Sequence, residues 1–209
     1  MNEDYYSLVI DAFKKWAPYY DAFALPFYRA RRAIVAAVTP RRGEKVLDVC
    51  TGTGAVALAL ARAGASVTGI DISEHMLERA RCKRNAGTVR FLRMDATELM
   101  FPANEFDTAT ISFALHDMPS EIMRRTLAET HRVARSRLVV IDYGLPRRAL
   151  LARICRFLIT LYEGPYYVEF LKLDVAEIAR REGWEIEKRD AALLGICQVL
   201  TFRMTEEKT

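Results

Sequence analysis

The sequence contains no run of about 18 apolar residues, so it predicts no transmembrane helix. Histidine and cysteine are scarce: the chain has 3 histidines and 4 cysteines, and no two cysteines form a CxxC pair. We therefore expect neither a structural metal site nor a disulfide framework, and we expect four reduced thiols. The segment Met1–Asp4 is acidic where a secretory signal would be basic, which predicts a cytoplasmic protein.

A basic stripe of the kind that binds nucleic acid is also missing. The formal net charge is +4, but the arginines and lysines are scattered among acidic residues. An enzyme acting on nucleic acid would concentrate them on one face, with aromatic side chains between them. The charge pattern therefore favours a solvated surface, and no nucleic-acid partner is expected.

Residues 1–40 are predicted to form a helical cap. Apolar groups recur at helical spacing over Tyr5–Val38, and aromatic side chains are frequent there. Pro18 and Pro26 interrupt this pattern, so we expect two or three short helices. Together with a core at 41–209, the cap is predicted to form a single domain, for which 209 residues are sufficient.

Beyond the cap, apolar runs of strand length alternate with helical segments. Strands are predicted at Val46–Cys50, Ser66–Asp71, Val89–Asp95, Phe106–Ala114 and Leu138–Tyr143. Helices are predicted at Ala55–Ala63, Ser73–Arg84, Ser120–Ala134, Arg147–Leu161 and Val168–Arg181. Such alternation is typical of a parallel sheet with helices on both faces, joined by right-handed crossovers.

The C-terminal part has a different pattern. Two further strands are predicted at Trp184–Arg189 and Cys197–Met204, joined by the short segment Asp190–Ile196. This segment has no room for a crossover helix, so the last strand should be antiparallel. The predicted fold class is α/β: a doubly wound, seven-stranded, Rossmann-like sheet with its last strand antiparallel, plus the N-terminal helical cap.

The segment from Val46 to Gly54 has the pattern of an apolar strand followed by a glycine-bearing turn. Gly52 and Gly54 allow a tight turn and a close approach of a ligand to the backbone. The helix predicted at Ala55–Ala63 would present its free N–H groups and positive dipole end to a polar or anionic group. We therefore predict a nucleotide-type ligand at this turn.

The glycines alone do not identify the nucleotide, because Gly52-x-Gly54-x-x-Ala57 also satisfies the dinucleotide fingerprint. Asp71 closes the second strand, where a carboxylate can hold a ribose in either case. Three features argue against a dinucleotide: the aromatic-rich helices before the turn, Asp95-Ala96 after the third strand, and the reversed last strand.

Four segments, taken together, resemble the class I S-adenosylmethionine-dependent methyltransferases: LDVCTGTG (Leu47–Gly54), GIDIS (Gly69–Ser73), RMDATEL (Arg93–Leu99) and FDTATISFALHDM (Phe106–Met118). The resemblance covers nearly the whole chain. It is strongest to the subgroup that includes the ubiquinone/menaquinone C-methyltransferases, whose N-terminal segment is similar to YYDAF (Tyr19–Phe23). It implies S-adenosyl-L-methionine as cofactor and S-adenosyl-L-homocysteine as product.

The resemblance also implies which residues contact the cofactor: Tyr20, Asp48, Thr51, Gly52, Thr53, Gly54, Asp71, Ile72, Met76, Asp95, Ala96, Ser112 and Phe113. Asp71 would hold the ribose and Asp95 the adenine edge. Alternatively, these two carboxylates could cap turns or helices. Met76 could be a simple core residue, and Tyr20 could serve packing rather than cover the cofactor.

His116-Asp117, after the fourth strand, is the candidate catalytic pair. Transfer of a methyl group from a sulfonium needs alignment and exclusion of water, and a base only if the nucleophile must lose a proton. His116 is the candidate for that general base, because imidazole titrates near working pH. Asp117 would orient His116 or cap the helix at Ser120. In the alternative interpretation, His116 shapes the pocket or bonds a backbone carbonyl.

The expected acceptor is a small molecule, either aromatic, quinone-like or lipid-like. Tyr143, Tyr162, Tyr166 and Tyr167 could line an apolar pocket together with the N-terminal aromatics. Arg147–Tyr162 combines a wide apolar face with four arginines, as an interfacial helix would, so peripheral membrane contact is one interpretation. The other interpretation, which the pattern favours, is a core-facing helix with a basic outer side.

Other functions are also compatible with the pattern. One is a non-catalytic module that binds S-adenosylmethionine, and another is an NAD-dependent oxidoreductase, for which a second catalytic domain is lacking. A third is a protein or RNA methyltransferase, for which no recognition domain or basic stripe is evident. The motif set favours a small-molecule methyltransferase.

Overall fold

A seven-stranded sheet forms the centre of the molecule. The computed structural model describes residues 2–23, 27–146, 148–160 and 166–205. The strands are β1 (Lys45–Val49), β2 (Ser66–Asp71), β3 (Val89–Arg93), β4 (Phe106–Ser112), β5 (Ala134–Tyr143), β6 (Trp184–Ala192) and β7 (Cys197–Met204).

The strand order across the sheet is β3-β2-β1-β4-β5-β7-β6. The pairs from β3 to β5 are parallel, whereas β7 is antiparallel to both β5 and β6. The segment between Ala192 and Cys197 is too short for a crossover, which is why the chain reverses there. The predicted fold class is confirmed, and β1 lies where the strand order reverses, which is where open α/β sheets bind ligands.

Nine α-helices are described around this sheet. They are α1 (Asn2–Trp16), α2 (Tyr20–Phe23), α3 (Tyr28–Val38), α4 (Ala55–Arg62), α5 (Glu74–Arg81), α6 (Ser120–Val133), α7 (Ala149–Thr160), α8 (Tyr166–Phe170) and α9 (Val175–Arg181). The first three correspond to the predicted cap. Pro18 lies in the turn between α1 and α2, and Pro26 lies outside the described residues.

One predicted helix is wrong. The segment Val168–Arg181 was predicted as a single helix, but it forms α8 and α9 with a break between them. Asp174 causes the second start, because its carboxylate accepts a hydrogen bond from the Ala176 amide at 3.0 Å. An aspartate that caps a new helix competes with continuation of the preceding one.

The sheet has a buried core on each face. Leu47 and Val49 point into one core, with Leu127 of α6. Val46 points into the other, with Ile34 of α3. This alternation follows from the two-residue period of a strand and fixes the register of β1 between two covered faces. The division into a cap at 1–40 and a core at 41–209 stays a prediction.

Candidate functional site

The turn after β1 has an unusual backbone. Cys50, Gly52 and Gly54 all have positive φ, of 54°, 55° and 73° respectively. This left-handed region is open to glycine but costs energy for other residues, so Cys50 is held there by its surroundings. Burial raises the pKa of the Cys50 thiol well above its usual value, with Asp71 and Asp48 adding to the effect. The thiol is therefore neutral and not activated as a nucleophile.

Packing as well as backbone conformation favours glycine at position 54. A Cβ built on Gly54 would lie 2.7 Å from Cζ of Phe91 and 3.1 Å from the Cβ of Ala80. The absence of a side chain therefore lets α4 begin close to β3 and α5. Gly54 does not line the neighbouring cavities in the described part of the chain.

Asp48 anchors the turn from below. Its carboxylate is fully buried and accepts hydrogen bonds from the hydroxyls of Thr51, at 2.6 Å, and Thr110, at 2.7 Å. The carboxylate thus connects β1, the turn and β4. The structure places Asp48 beneath the site and not among the residues lining it.

Asp71, at the end of β2, holds the turn from the side of the ligand cavity. Its Oδ2 accepts from the Gly52 amide at 2.8 Å, and its Oδ1 accepts from the Ser73 amide at 2.9 Å. Burial raises the pKa of Asp71 to about 6, although these amides act to lower it. The side chain is therefore mainly ionised at neutral pH and protonated in mild acid.

Asp95 follows β3, the strand that pairs with β2. Its Oδ1 accepts from both the amide and the hydroxyl of Thr97, each at 2.8 Å. The Thr97 hydroxyl also lies 3.2 Å from the hydroxyl of Tyr6. The carboxylate at this strand end is thus fixed by a short polar chain that reaches α1.

An open cleft with about 710 Å³ of empty volume lies over these strand ends. Its walls are mainly apolar and aromatic. The cleft is lined by Tyr5, Tyr6, Val9, Phe13, Tyr20, Cys50, Gly52, Ile70, Asp71, Ile72, Met76, Met94, Asp95, Ala96, Thr97, Phe113, Ala114, Asp117, Met118, Ile122 and Thr126.

A smaller cavity lies at the same turn, and its volume of about 260 Å³ includes space open to solvent. Tyr20, Cys50 and Gly52 line both the cleft and this cavity. A Cβ built on Gly52 would lie 3.3 Å from Cε of Met76, so a side chain there would crowd the wall that the two share. The smaller cavity is lined further by Thr51, Thr53, Ala55, Val56 and Ser112.

Most of the predicted cofactor residues therefore line one of two neighbouring pockets at the glycine turn. Those lining the cleft are Tyr20, Gly52, Asp71, Ile72, Met76, Asp95, Ala96 and Phe113, and those lining only the smaller cavity are Thr51, Thr53 and Ser112. Asp48 and Gly54 support the turn without lining either pocket. Contact with a cofactor stays a prediction for each of them.

His116 and Asp117 are placed differently from each other. The His116 side chain is 3% exposed and is not among the residues lining the cleft, whereas Asp117 lines it. His116 Nδ1 lies 2.7 Å from Oδ1 of Asp142, and Nε2 lies 3.6 Å from Oδ2 of Asp117. Because a carboxylate accepts, the Nδ1 hydrogen points to Asp142 and Nε2 faces Asp117. The base role of His116 stays a prediction.

Of the tyrosines predicted to line an acceptor pocket, the three that the structure describes, Tyr143, Tyr166 and Tyr167, do not line the cleft. Tyr143 and Tyr167 are buried and pack edge-to-face on each other, at a centroid distance of 5.2 Å, beside His116. Tyr166 packs on Tyr5 at 5.8 Å, and so supports the cleft wall from behind. Tyr162 lies outside the described residues. Tyr143 and Tyr167 enclose the histidine instead of an acceptor.

The prediction for the N-terminal aromatics is more successful. Tyr5, Tyr6 and Phe13 belong to the aromatic segment predicted to line an apolar pocket, and all three line the cleft. Asp142, the buried partner of His116, is absent from the predicted site. Nothing local marks Asp142, which lies 26 positions after His116.

Residues 46–137 match a protein family described as a methyltransferase domain. The match runs from β1 into β5 and includes the glycine turn, both carboxylates at the strand ends and His116-Asp117. Over these residues the chain is similar to a methyltransferase domain. The predicted resemblance to the class I methyltransferases is thereby confirmed, and the sheet order and reversed β7 agree with it.

Two curated relatives of this chain are quinone methyltransferases by name. A demethylmenaquinone methyltransferase from Clavibacter sepedonicus is 41% identical over 127 residues, covering 59% of this chain and 51% of the relative. A ubiquinone/menaquinone biosynthesis C-methyltransferase from Rhizobium etli is 36% identical over 163 residues, covering 70% and 62%. The chain thus spans between half and two thirds of the length of these relatives.

Solved structures share the fold of this chain. A magnesium protoporphyrin IX methyltransferase from Synechocystis PCC 6803, solved with bound SAH, has a TM-score of 0.74 at 20% identity, covering 95% of this chain and 99% of that one. A putative methyltransferase from Haloferax volcanii, in complex with the Trm112 activator, has a TM-score of 0.76 at 17% identity, covering 96% and 99%. Such likeness shows the fold alone.

Proposed function

We propose that the protein transfers a methyl group from S-adenosyl-L-methionine to an apolar, aromatic small molecule of the quinol type. The single observation that carries this proposal is that one cleft combines carboxylates with an apolar, aromatic surface. Two carboxylates at adjacent strand ends, Asp71 and Asp95, line a cleft whose other walls are mainly apolar and aromatic. The names of the curated relatives support the choice of acceptor class.

The residues present fit the cofactor. Asp71 can accept hydrogen bonds from ribose hydroxyls in addition to those from the Gly52 and Ser73 amides, because a carboxylate has about four acceptor positions. Asp95 can accept from the adenine amino group, and Ile72 and Met76 offer apolar contact to the ring. The cofactor supplies, when bound, a methyl group on a positively charged sulfur, which needs no metal or covalent enzyme intermediate.

The chain's own residues would align the acceptor and exclude water. Tyr5, Tyr6 and Phe13 from the cap, with Met118 and Ile122 from the opposite wall, can surround an aromatic ring.

A carbon or oxygen nucleophile must lose a proton, and Asp117 is the ionisable group of the His116-Asp117 pair that lines the cleft. We propose that Asp117 receives the proton and that His116, oriented by Asp142, passes it on or stabilises the charge. The predicted catalytic pair is retained, but Asp117 and not His116 receives the proton from the acceptor. The His116→Asn variant tests it, because the shorter amide can still donate to Asp142.

The deciding experiment has two stages. Calorimetry should first show binding of S-adenosylmethionine and its demethylated product, with NAD as the negative control. A single-turnover assay with a tritiated methyl group and reduced demethylmenaquinone, against a panel of phenols and proteins, then tests the acceptor. Cofactor binding without transfer to any member of the panel would favour a non-catalytic module. Transfer only to proteins would contradict the small-molecule proposal.

If Asp117 is the base, Asp117→Asn should abolish turnover and leave the cofactor dissociation constant unchanged. His116→Asn should lower the single-turnover rate less severely. An unchanged rate in both variants would exclude a base at this pair. Asp107, an exposed aspartate that pairs with Arg135 away from the cleft, provides the matched control in Asp107→Asn.

A further inference from the structure

The helix α7 carries an exposed apolar face. Leu150, Ile154, Phe157 and Leu158 are 73%, 47%, 64% and 56% exposed. They are spaced at intervals of four, three and one residues, so they lie along one side of the helix. Ile159, on the opposite side, is buried and holds the helix to the core. The favoured prediction of a core-facing helix with a basic outer side is therefore wrong, because most of the apolar surface faces outward.

The exposed apolar face is accompanied by positive charge. Arg153 lies three residues after Leu150 and four before Phe157, at the border of the face, and Arg156 lies one turn further. Both side chains are exposed, as is Arg148 before the helix. Within the described residues, none of these three arginines takes part in an ion pair with a carboxylate. By contrast, the exposed Arg180 and Arg181 of α9 both pair with Glu177.

Helices of this composition are suited to the boundary between water and lipid. An aromatic and several aliphatic side chains can enter the acyl region while arginines at the border contact phosphate groups. Burying this face against a second copy of the chain about a twofold axis would instead bring like-charged arginines of the two copies towards each other. The chain's formal net charge of +4 adds a long-range attraction to an anionic surface.

We propose that α7 docks this protein reversibly on the surface of an anionic lipid bilayer. The helix lies in the plane of the interface and does not cross the bilayer. None of the helices in the described part of the chain is long and apolar enough to span a membrane. The proposal concerns a surface and not the cleft, and it holds whatever molecule the protein methylates.

The test is co-sedimentation with vesicles, using the whole chain without cofactor. Vesicles of phosphatidylcholine mixed with phosphatidylglycerol should bind the protein, and added salt should release it. Vesicles of phosphatidylcholine alone should bind it weakly. The double variants Phe157→Ser/Leu158→Ser and Arg153→Gln/Arg156→Gln should each lower the partition coefficient by about tenfold.

Matched controls lie elsewhere on the surface. Met100→Ser removes an apolar side chain that is 80% exposed, and Arg180→Gln/Arg181→Gln removes the same charge from α9. Both control variants should bind vesicles within about twofold of the wild type, because the substituted residues are not on α7 and so are not part of the proposed lipid contact. Melting temperatures close to the wild type would show that every variant is folded.

Three results would overturn the proposal. The first is no binding to the mixed vesicles at low salt. The second is equal loss in the controls and in the α7 variants. The third is a dimer, seen by light scattering, that Phe157→Ser/Leu158→Ser converts to a monomer, because the face would then be covered by a second copy.

Discussion

His116 Nδ1 lies 2.7 Å from Oδ1 of Asp142, and both side chains are buried, at 3% and 2% exposure. The other oxygen, Oδ2, accepts from the Leu115 amide at 3.0 Å, and Oδ1 also accepts from the Tyr143 amide at 2.7 Å. One carboxylate at the end of β5 therefore fixes the loop that carries His116 and Asp117. This loop forms the wall of the cleft next to the proposed acceptor.

Removal of either partner should destabilise the fold. We expect Asp142→Ala to cost about 3 kcal/mol, because it leaves several buried donors unpaired. For a chain of this length, that lowers the melting temperature by roughly 6–12 °C. Calorimetric melting measures the change, with Asp190→Ala, which removes a surface ion pair with Lys188, as control. A melting temperature unchanged by Asp142→Ala would show that the contact does not hold the loop.

The pKa of Asp71 predicts how cofactor affinity depends on pH. Burial raises this pKa to about 6. Ribose hydroxyls can donate to the ionised carboxylate but lose an acceptor when it is protonated. Affinity for S-adenosylhomocysteine should therefore be constant above about pH 7 and fall by up to about tenfold per pH unit below pH 6. Calorimetry from pH 5 to 8 tests this.

The same group predicts the pH dependence of stability without cofactor. The folded-state pKa lies above the ordinary value of 3.8, so the folded chain binds the proton more tightly than the unfolded chain. The contribution of Asp71 to the free energy of unfolding is therefore full below the unfolded pKa and falls as the pH rises from 3.8 to about 6. Asp71→Asn should remove both pH effects. If its affinity keeps the same pH dependence, another group is responsible.

Two glycines provide a matched pair for the turn. Gly54→Ala puts a Cβ 2.7 Å from Phe91 at a φ of +73°, whereas a Cβ on Gly87 meets nothing within 4 Å. Strain and overpacking should make Gly54→Ala cost about 2–4 kcal/mol. Gly87→Ala should change the free energy of unfolding by less than about 0.5 kcal/mol. Urea denaturation compares them, and equal midpoints would contradict the packing explanation.

A polar contact joins the cap to the turn. Asp21 of α2 accepts from the Thr53 hydroxyl at 2.7 Å and from Lys83 Nζ at 2.8 Å. The ion pair is partly exposed, so Asp21→Ala should cost less than about 1 kcal/mol of stability. We expect it instead to speed release of S-adenosylhomocysteine, because Thr53 lines the smaller cavity and α2 carries Tyr20.

Stopped-flow displacement measures that release. Asp190, which pairs with Lys188 on the surface at 2.8 Å, provides the control Asp190→Ala. The control should leave both the release rate and the stability unchanged. If Asp21→Ala releases the product at the wild-type rate, the contact is structural only.

The candidate site could be located from the sequence only in part. Gly52, Asp71 and Asp95 follow apolar strands at fixed spacing, and parallel strands bring their carboxyl ends to one edge of the sheet. The proximity of these three residues at one edge of the sheet was therefore predictable. Gly54 belongs to the same motif as Gly52 but does not line the cleft. The sequence could not distinguish the two, because a motif does not specify which side of a turn faces the ligand.

The sequence by itself determined the order of strands and helices, the glycine turn and the reversal at β7, because these depend on local periodicity and on the lengths of connections. Only the tertiary structure decided that His116 faces Asp142 instead of the cleft and that Leu150 and Phe157 remain exposed on α7. Both outcomes depend on which distant elements cover a residue. A side chain's solvent exposure and hydrogen-bond partners arise when those elements pack together, and no neighbour along the chain specifies them.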